Sequence, residues 1–192
     1  MIVSKTASPW TILGVTSLAV FAVMLDALVL FVAFPAIQRG FSTVSGAQLS
    51  WVLNAYTIVY GALLVPMGRL ADLVGRKKVF LVGAAVFTLA SVLCALAISP
   101  AWLIAMRVVQ AVGGAMLTPT SLALTLAAFP QEKRAIAVTL WGAVGALAVV
   151  AGPPLGAVTV QTLGWLGIFF LNLPIGLVAV LAVGFGLGHY DG

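Results

Sequence analysis

Charged residues are so placed along this chain that five stretches nearly free of them are each longer than a bilayer crossing requires. Residues 6–38 contain one charge, Asp26, and residues 40–68 contain none; 79–106 and 108–131 are uncharged, and 135–188 form one uncharged run. A helix crossing the hydrocarbon needs about 20 mostly apolar residues, because every backbone N–H and C=O there must be satisfied within the segment. The last run is too long for a single crossing at about 1.5 Å per residue. Gln161, Thr162 and Gly164 interrupt it, which predicts a helical hairpin. The pattern therefore predicts spans over 10–37, 49–68, 79–98, 101–128, 136–158 and 163–187. That is one all-α membrane domain, a six-transmembrane-helix bundle over 1–192, with loops of about ten residues or fewer.

Composition excludes the alternative of a water-soluble globule: 63% of the 192 residues are hydrophobic, 7% are charged and the mean hydropathy is +1.24, where soluble domains carry about 25% charge. The basic balance rests on 9 Lys and Arg against 4 Asp and Glu, too few for a nucleic-acid-binding face. Their placement is more informative. Lys5, Arg69, Arg76, Lys77, Lys78, Lys133 and Arg134 fall on one side of the predicted bilayer and only Arg39 on the other. Positive loops stay inside, so both termini are expected to be cytoplasmic, in a multi-pass protein of the cell membrane. The first apolar run contains Asp26 and has no small-residue cleavage site, so it reads as a retained span and not a secretory signal. With one cysteine, Cys94, one histidine, His189, and four scattered carboxylates, no nucleophile–base set or metal cluster is available. No enzyme activity, metal or cofactor is expected.

An ionisable side chain at the centre of a span costs roughly 2.5–3.5 kcal/mol on insertion scales, and it is retained with a partner, a cavity or a role. Asp26 is the foremost such residue. Ala19, Ala22 and Ala33 share its helical face, a strip of small residues expected to border a water-filled cavity. Desolvation favours a neutral carboxyl and a nearby cation the ionised one, so a carboxyl held between them can take up and release a proton. The bland alternative is a neutral Asp26 hydrogen-bonded to a neighbouring helix. Arg107 opens a polar stripe that continues with Gln110, Gly114, Thr118 and Ser121, spaced to share one face. Counting from the outer ends of their spans brings Arg107 and Asp26 within roughly a turn or two in depth; alternatively Arg107 snorkels to the outer interface. Their spans are three apart, as in the repeat of three helices plus three of many secondary transporters.

Two further segments carry a physical pattern. Between spans two and three, GRLADLVGRKKV from Gly68 to Val79 combines turn-permitting Gly68 and Gly75, an acceptor in Asp72 and a cationic end from Arg76 to Lys78. As charge alone it is a positive-inside anchor. In span five, Gly152 and Gly156 form a small-x-x-x-small pair, extended by Gly145, for close helix approach. Pro153 and Pro154 remove backbone donors beside it, as at a pivot or a plain packing kink.

The Gly68–Val79 segment resembles the signature loop of the major facilitator superfamily, with Leu73 in place of the usual basic residue. Other segments resemble, in order, motifs of its drug:proton antiporter branch of the fourteen-span type. LDALVLFVAFP from Leu25 is similar to the first-span motif, with Leu28 and Phe31 replacing polar positions, and WVLNAYTIVYG from Trp51 to the second span. MRVVQAVGGA from Met106 matches the fourth-span motif through Arg107, Gln110 and Gly113, with Ala111 where glycine is common. AGPPLGAV from Ala151 resembles the antiporter motif, with Ala157 at a usual glycine, and WLGIFFLNLPIG from Trp165 ends in the family's N-x-P-x-G, with Leu166 and Gly167 replacing Arg-Trp.

The resemblance implies the N-terminal half of a proton-coupled exporter of small molecules that works by alternating access, the coupling ion being a proton. Asp26 would carry the proton and Arg107 set its protonation state. Gly68, Asp72, Gly75 and Arg76 would form a cytoplasmic gate, and Gly152, Pro153 and Gly156 would limit leakage. Asn54, Gln110, Gly114 and Thr118 would line the cavity. Such transporters pair two six-span halves, so beside the substrate and the lipid bilayer the expected partner is a second half, in the same polypeptide, a separate chain or a second copy. The competing functions are a truncated, non-transporting membrane protein that docks on a partner transporter, and a facilitator or symporter of the same fold.

Overall fold

A computed structural model of the chain describes residues 8–174, 176 and 177, and all its regular elements there are helices. They are α1 (Pro9–Gly40), the single turn α2 (Gly46–Leu49), α3 (Trp51–Val74), α4 (Arg76–Ala95), α5 (Pro100–Ala128), α6 (Arg134–Leu163) and the short α7 (Gly167–Phe170), with a 3₁₀ turn over Gln131–Lys133. Among the described residues, five stretches are long and apolar enough to cross a membrane: Pro9–Gly40, Gly46–Val74, Arg76–Ala95, Pro100–Ala128 and Gln131–Leu163. The sixth expected span, 163–187, includes α7, and its residues 175 and 178–187 lie outside the described residues, as do Lys5 and His189.

Local chemistry explains the ends. Proline opens α1 and α5 at Pro9 and Pro100, where a missing N–H costs nothing. Ser99 Oγ caps α5 by accepting from Trp102 N at 3.2 Å, and Ser45 Oγ does the same for α2 from Gln48 N at 3.3 Å. Arg134 closes the other end of α5, its Nε donating to the carbonyls of Leu126 and Phe129 at 3.0 and 3.3 Å, so one expected interfacial cation doubles as a C-cap. The break expected at Gln161–Gly164 falls at Gly164, whose φ of 73° ends α6 in a conformation side chains disfavour. The largest departure concerns 68–79. Instead of ending at 68, the second span stays helical through Val74, and Gly75, at φ 110°, is the single non-helical residue before α4 starts at Arg76. Backbone bonds continue through charged residues there because a helix satisfies its own N–H and C=O groups wherever water ends.

The helices pack in two main seams, α4 against α5 and α1 against α6, with α3 and α1 also lying on α5. Glycine permits both. A Cβ on Gly113 would stand 2.5 Å from Phe87 N, and one on Gly83 2.7 Å from Met116 Cβ, so α4 and α5 touch nearly backbone to backbone. Gly152 and Gly156 perform the same service on α6, where a Cβ would meet Leu28 Cβ at 3.0 Å and Val29 Cγ1 at 3.2 Å. Gly145 does not extend that contact, since its Cβ would meet nothing within 4 Å. Buried apolar residues form one cluster around Phe80, Phe87, Tyr56 and Ala111 and another around Leu30, Ile37, Leu49 and Leu103; the polar site lies where the two meet on α1 and α5.

Candidate functional site

Asp26 sits midway along α1 and is 6% exposed; Arg107, on α5, is 1% exposed. Arg107 Nη1 donates to Asp26 Oδ2 at 2.5 Å, making a fully buried ion pair between residues 81 apart in the chain. Arg107 does not snorkel: its Nε donates to Val52 O on α3 at 3.3 Å, and its guanidinium carbon lies 4.0 Å from the centre of the Tyr56 ring. A cation over an aromatic face is attracted by the ring quadrupole, more strongly when desolvated. Ala19, Ala22 and Ala33 are each at most 2% exposed, so the strip beside Asp26 is packed against neighbouring helices and borders no open cavity.

The remaining carboxylate oxygen is held just as closely. Asp26 Oδ1 accepts from Gln110 Nε2 at 3.0 Å and from Asn172 Nδ2 at 2.7 Å. Gln110 Oε1 in turn accepts from Arg107 Nη1 at 2.6 Å, and its Nε2 also reaches Ser91 Oγ on α4 at 2.7 Å. Ser91 donates to Phe87 O at 2.9 Å, and Cys94 Sγ approaches Gln110 Oε1 at 3.8 Å. Thus α1, α3, α4, α5 and the residues after α7 all contribute to one buried network around a single carboxylate. Donors thus reach both oxygens of the carboxylate, and a cation lies against one of them. Two buried polar atoms of this neighbourhood lack any partner among the described residues, the Tyr56 hydroxyl and Asn172 Oδ1.

Of the expected site residues, Asp26, Arg107 and Gln110 meet directly. Gly114 serves them from behind, since a Cβ there would lie 3.2 Å from the Tyr56 hydroxyl. Thr118 is drawn elsewhere, pairing with Tyr60 at 3.0 Å, and Ser121 accepts from Trp141 Nε1 at 3.1 Å, so the lower stripe of α5 is tied to α3 and α6. Asn54 is exposed on a different face of α3 from buried Val52, Ala55 and Tyr56, and does not join the site. Four contributors were not anticipated: Tyr56, Ser91, Asn172 and the carbonyl of Val52. Serine and tyrosine in an apolar helix carry no charge to flag them, but Ser91 and Asn172 are polar interruptions in otherwise apolar stretches, a signal that could have found them.

At the far end of α3, Asp72 Oδ1 accepts from Arg76 Nε and Nη2 at 3.0 and 2.9 Å across the Gly75 turn. The side chains are 62% and 45% exposed. Gly68 faces Pro119 of α5, where a Cβ would stand 3.5 Å from the proline Cβ. These four residues cluster at one end of the α3–α4–α5 group, away from the buried pair.

Comparison with known proteins gives this architecture a context. The sequence profile of the family described as Major Facilitator Superfamily matches residues 16–189. Multidrug resistance protein Stp of Mycobacterium tuberculosis is 41% identical over 166 residues, covering 86% of this chain and 31% of that protein. The tetracenomycin C resistance and export protein of Streptomyces glaucescens is 36% identical over 174 residues, 91% of this chain and 32% of that protein. Riboflavin transporter RibZ of Clostridioides difficile is 34% identical over 171 residues, 89% of this chain and 37% of that protein. This chain thus spans about a third of the length of these curated relatives. Among solved structures, a bacterial homologue of the human lysosomal transporter Spinster, inward-facing and occupied, superposes with a TM-score of 0.76 at 21% identity over 94% of this chain and 44% of that one, a likeness of fold.

Proposed function

Because this chain belongs to the major facilitator superfamily, we propose that it is the N-terminal six-helix bundle of a proton-coupled efflux transporter, of the fourteen-span drug:proton antiporter branch. The observation that carries this reading is the buried Asp26–Arg107 pair at the meeting point of the helices. An ion pair enclosed this way is coupled to the packing around it: protonating Asp26 removes the charge that Arg107 balances, and among the described residues the guanidinium is then held by Val52 O, Gln110 and the Tyr56 ring. A buried, uncompensated cation is costly, so uptake of a proton favours a different helix arrangement, and release favours the original one. A proton moving down 100 mV supplies about 2.3 kcal/mol toward such a cycle.

Export of small, largely apolar or cationic compounds is the substrate reading, supported by relatives named for drug and antibiotic resistance. Asp72 and Arg76, with Gly68 and Gly75, form the cytoplasmic gate; their exposed contact opens at little cost. Gly152 and Gly156, set against Leu28 and Val29 of α1, with the exposed Pro153 beside them, seal the bundle against leakage. The partner is a second six-helix half. Asn54 and Thr57 are exposed on α3 close to the level of Val52, whose carbonyl meets Arg107, and a polar amide facing lipid there would be left without partners. A second half around a watered cavity satisfies it.

The test is Asp26→Asn in the protein at its native length, reconstituted in vesicles with an imposed pH gradient. We expect gradient-driven export to vanish while membrane insertion is retained. Export that continues at the wild-type rate defeats the proton-carrier role.

A further inference from the structure

Three side chains donate to the Asp26 carboxylate: Arg107 through Nη1, Gln110 through Nε2 and Asn172 through Nδ2. A protonated carboxyl needs an acceptor as well. Arg107 has none to offer. Gln110 Oε1 already receives Arg107 Nη1 at 2.6 Å and the Cys94 thiol at 3.8 Å. Ser91 Oγ already takes bonds from Gln110 and Asn172, and the Tyr56 hydroxyl makes no hydrogen bond to Asp26. Asn172 Oδ1 is the exception: it belongs to a residue 1% exposed, has no partner among the described residues, and shares an amide with the nitrogen that lies 2.7 Å from Asp26 Oδ1.

We propose that Asn172 is the proton-dependent partner of Asp26, donating through Nδ2 when the carboxylate is ionised and accepting through Oδ1 when it is protonated. The exchange is a rotation of the amide by about 180°, which swaps donor and acceptor in place. A proton from water bonds to Asp26 Oδ1, and no covalent bond in the chain breaks. The Nδ2–H···Oδ1 contact is replaced by one in which the new carboxyl O–H donates to Asn172 Oδ1. Ser91, 3.3 Å from Nδ2, can follow, because a hydroxyl turns from acceptor to donor by rotating its hydrogen. The titratable and charged groups facing Asp26 are Arg107 on α5, Tyr56 on α3 and Cys94 on α4; α6 after Arg134 and residues 164–177 hold no titratable side chain. Without this rotation the protonated carboxyl meets no free acceptor among the described residues, and a buried donor left unpaired is costly. Asn172 follows α7, so the same rotation transmits the state of Asp26 to the start of the sixth span. This inference rests on the proton-carrier reading of Asp26.

Infrared difference spectroscopy tests it, on the native-length protein in nanodiscs with isotopically labelled asparagine. The labelled band lost in Asn172→Gln is that of Asn172, because glutamine keeps the amide but not the label, and Asn172→Ser assigns it where Asn172→Gln does not fold. As pH falls, a carboxyl C=O band absent from Asp26→Asn rises, and the Asn172 carbonyl band moves to lower frequency with the same midpoint. A rising Asp26 band with a fixed Asn172 band overturns the rotation and leaves the proton-carrier reading standing. No Asp26 band at any pH at which the protein is folded overturns both.

Discussion

Two aspartate–arginine pairs occur among the described residues, chemically identical and physically opposite. Asp72 and Arg76 are four residues apart, bonded across one turn, with side chains 62% and 45% exposed. Asp26 and Arg107 come from different helices, 3% and 1% exposed by side chain. Water solvates the first pair almost as well broken as joined, so its contribution is about 0–1 kcal/mol. In the second, each ion has lost its water, a cost of several kcal/mol, and only the partner and the added donors of Gln110 and Asn172 offset it. The first suits a contact that opens and closes; the second suits one whose geometry must change when a proton arrives.

That contrast can be broken most directly at Arg107. Arg107→Leu strands a buried carboxylate and is expected to cost about 3–5 kcal/mol, measured as the unfolding midpoint in micelles. Combining it with Asp26→Asn restores more than half of the loss, because no charge remains unbalanced; strictly additive losses would mean that the two residues are not a coupled pair. Next in size is the α4–α5 seam beside the buried pair. Gly113→Ala places a methyl 2.5 Å from Phe87 N and is expected to cost about 1–3 kcal/mol by overpacking, whereas Gly145→Ala, in open space, leaves the same midpoint unmoved. Equal effects at both glycines would show that close approach of α4 and α5 is not what holds Ser91 and Gln110 together. The smallest effect is expected at the exposed pair: Asp72→Ala lowers stability by under about 1 kcal/mol, and high salt erases even that difference. Its consequence is conformational, a changed reactivity of cysteines introduced near the end of α3; unchanged reactivity defeats the gate assignment.

The two pairs also differ in how far they could be read beforehand. Asp72 and Arg76 are neighbours on any helix by their spacing, yet the segment reads as a loop because charge and glycine cluster there; the structure keeps it helical to Val74. Asp26 and Arg107 stand out singly as intramembrane charges, and their shared depth follows from counting residues. Their donors do not stand out. Ser91 and Asn172 enter the site only because α4 lies against α5 and the sixth span starts beside α1, and Asn54, equally polar, turns away because it lies on the other side of α3 from Tyr56.

The sequence by itself determined the solvent, the spans and the charges that had to be explained, since hydrophobic run length and the cost of a lone ion in hydrocarbon are local properties. Tertiary structure alone decided what the charges touch. Which face of α5 meets α1, how closely Gly83 and Gly113 let α4 approach, and whether the alanines beside Asp26 border water or protein all depend on helix packing. That packing is set by many weak contacts between residues distant in the chain, which no single segment encodes.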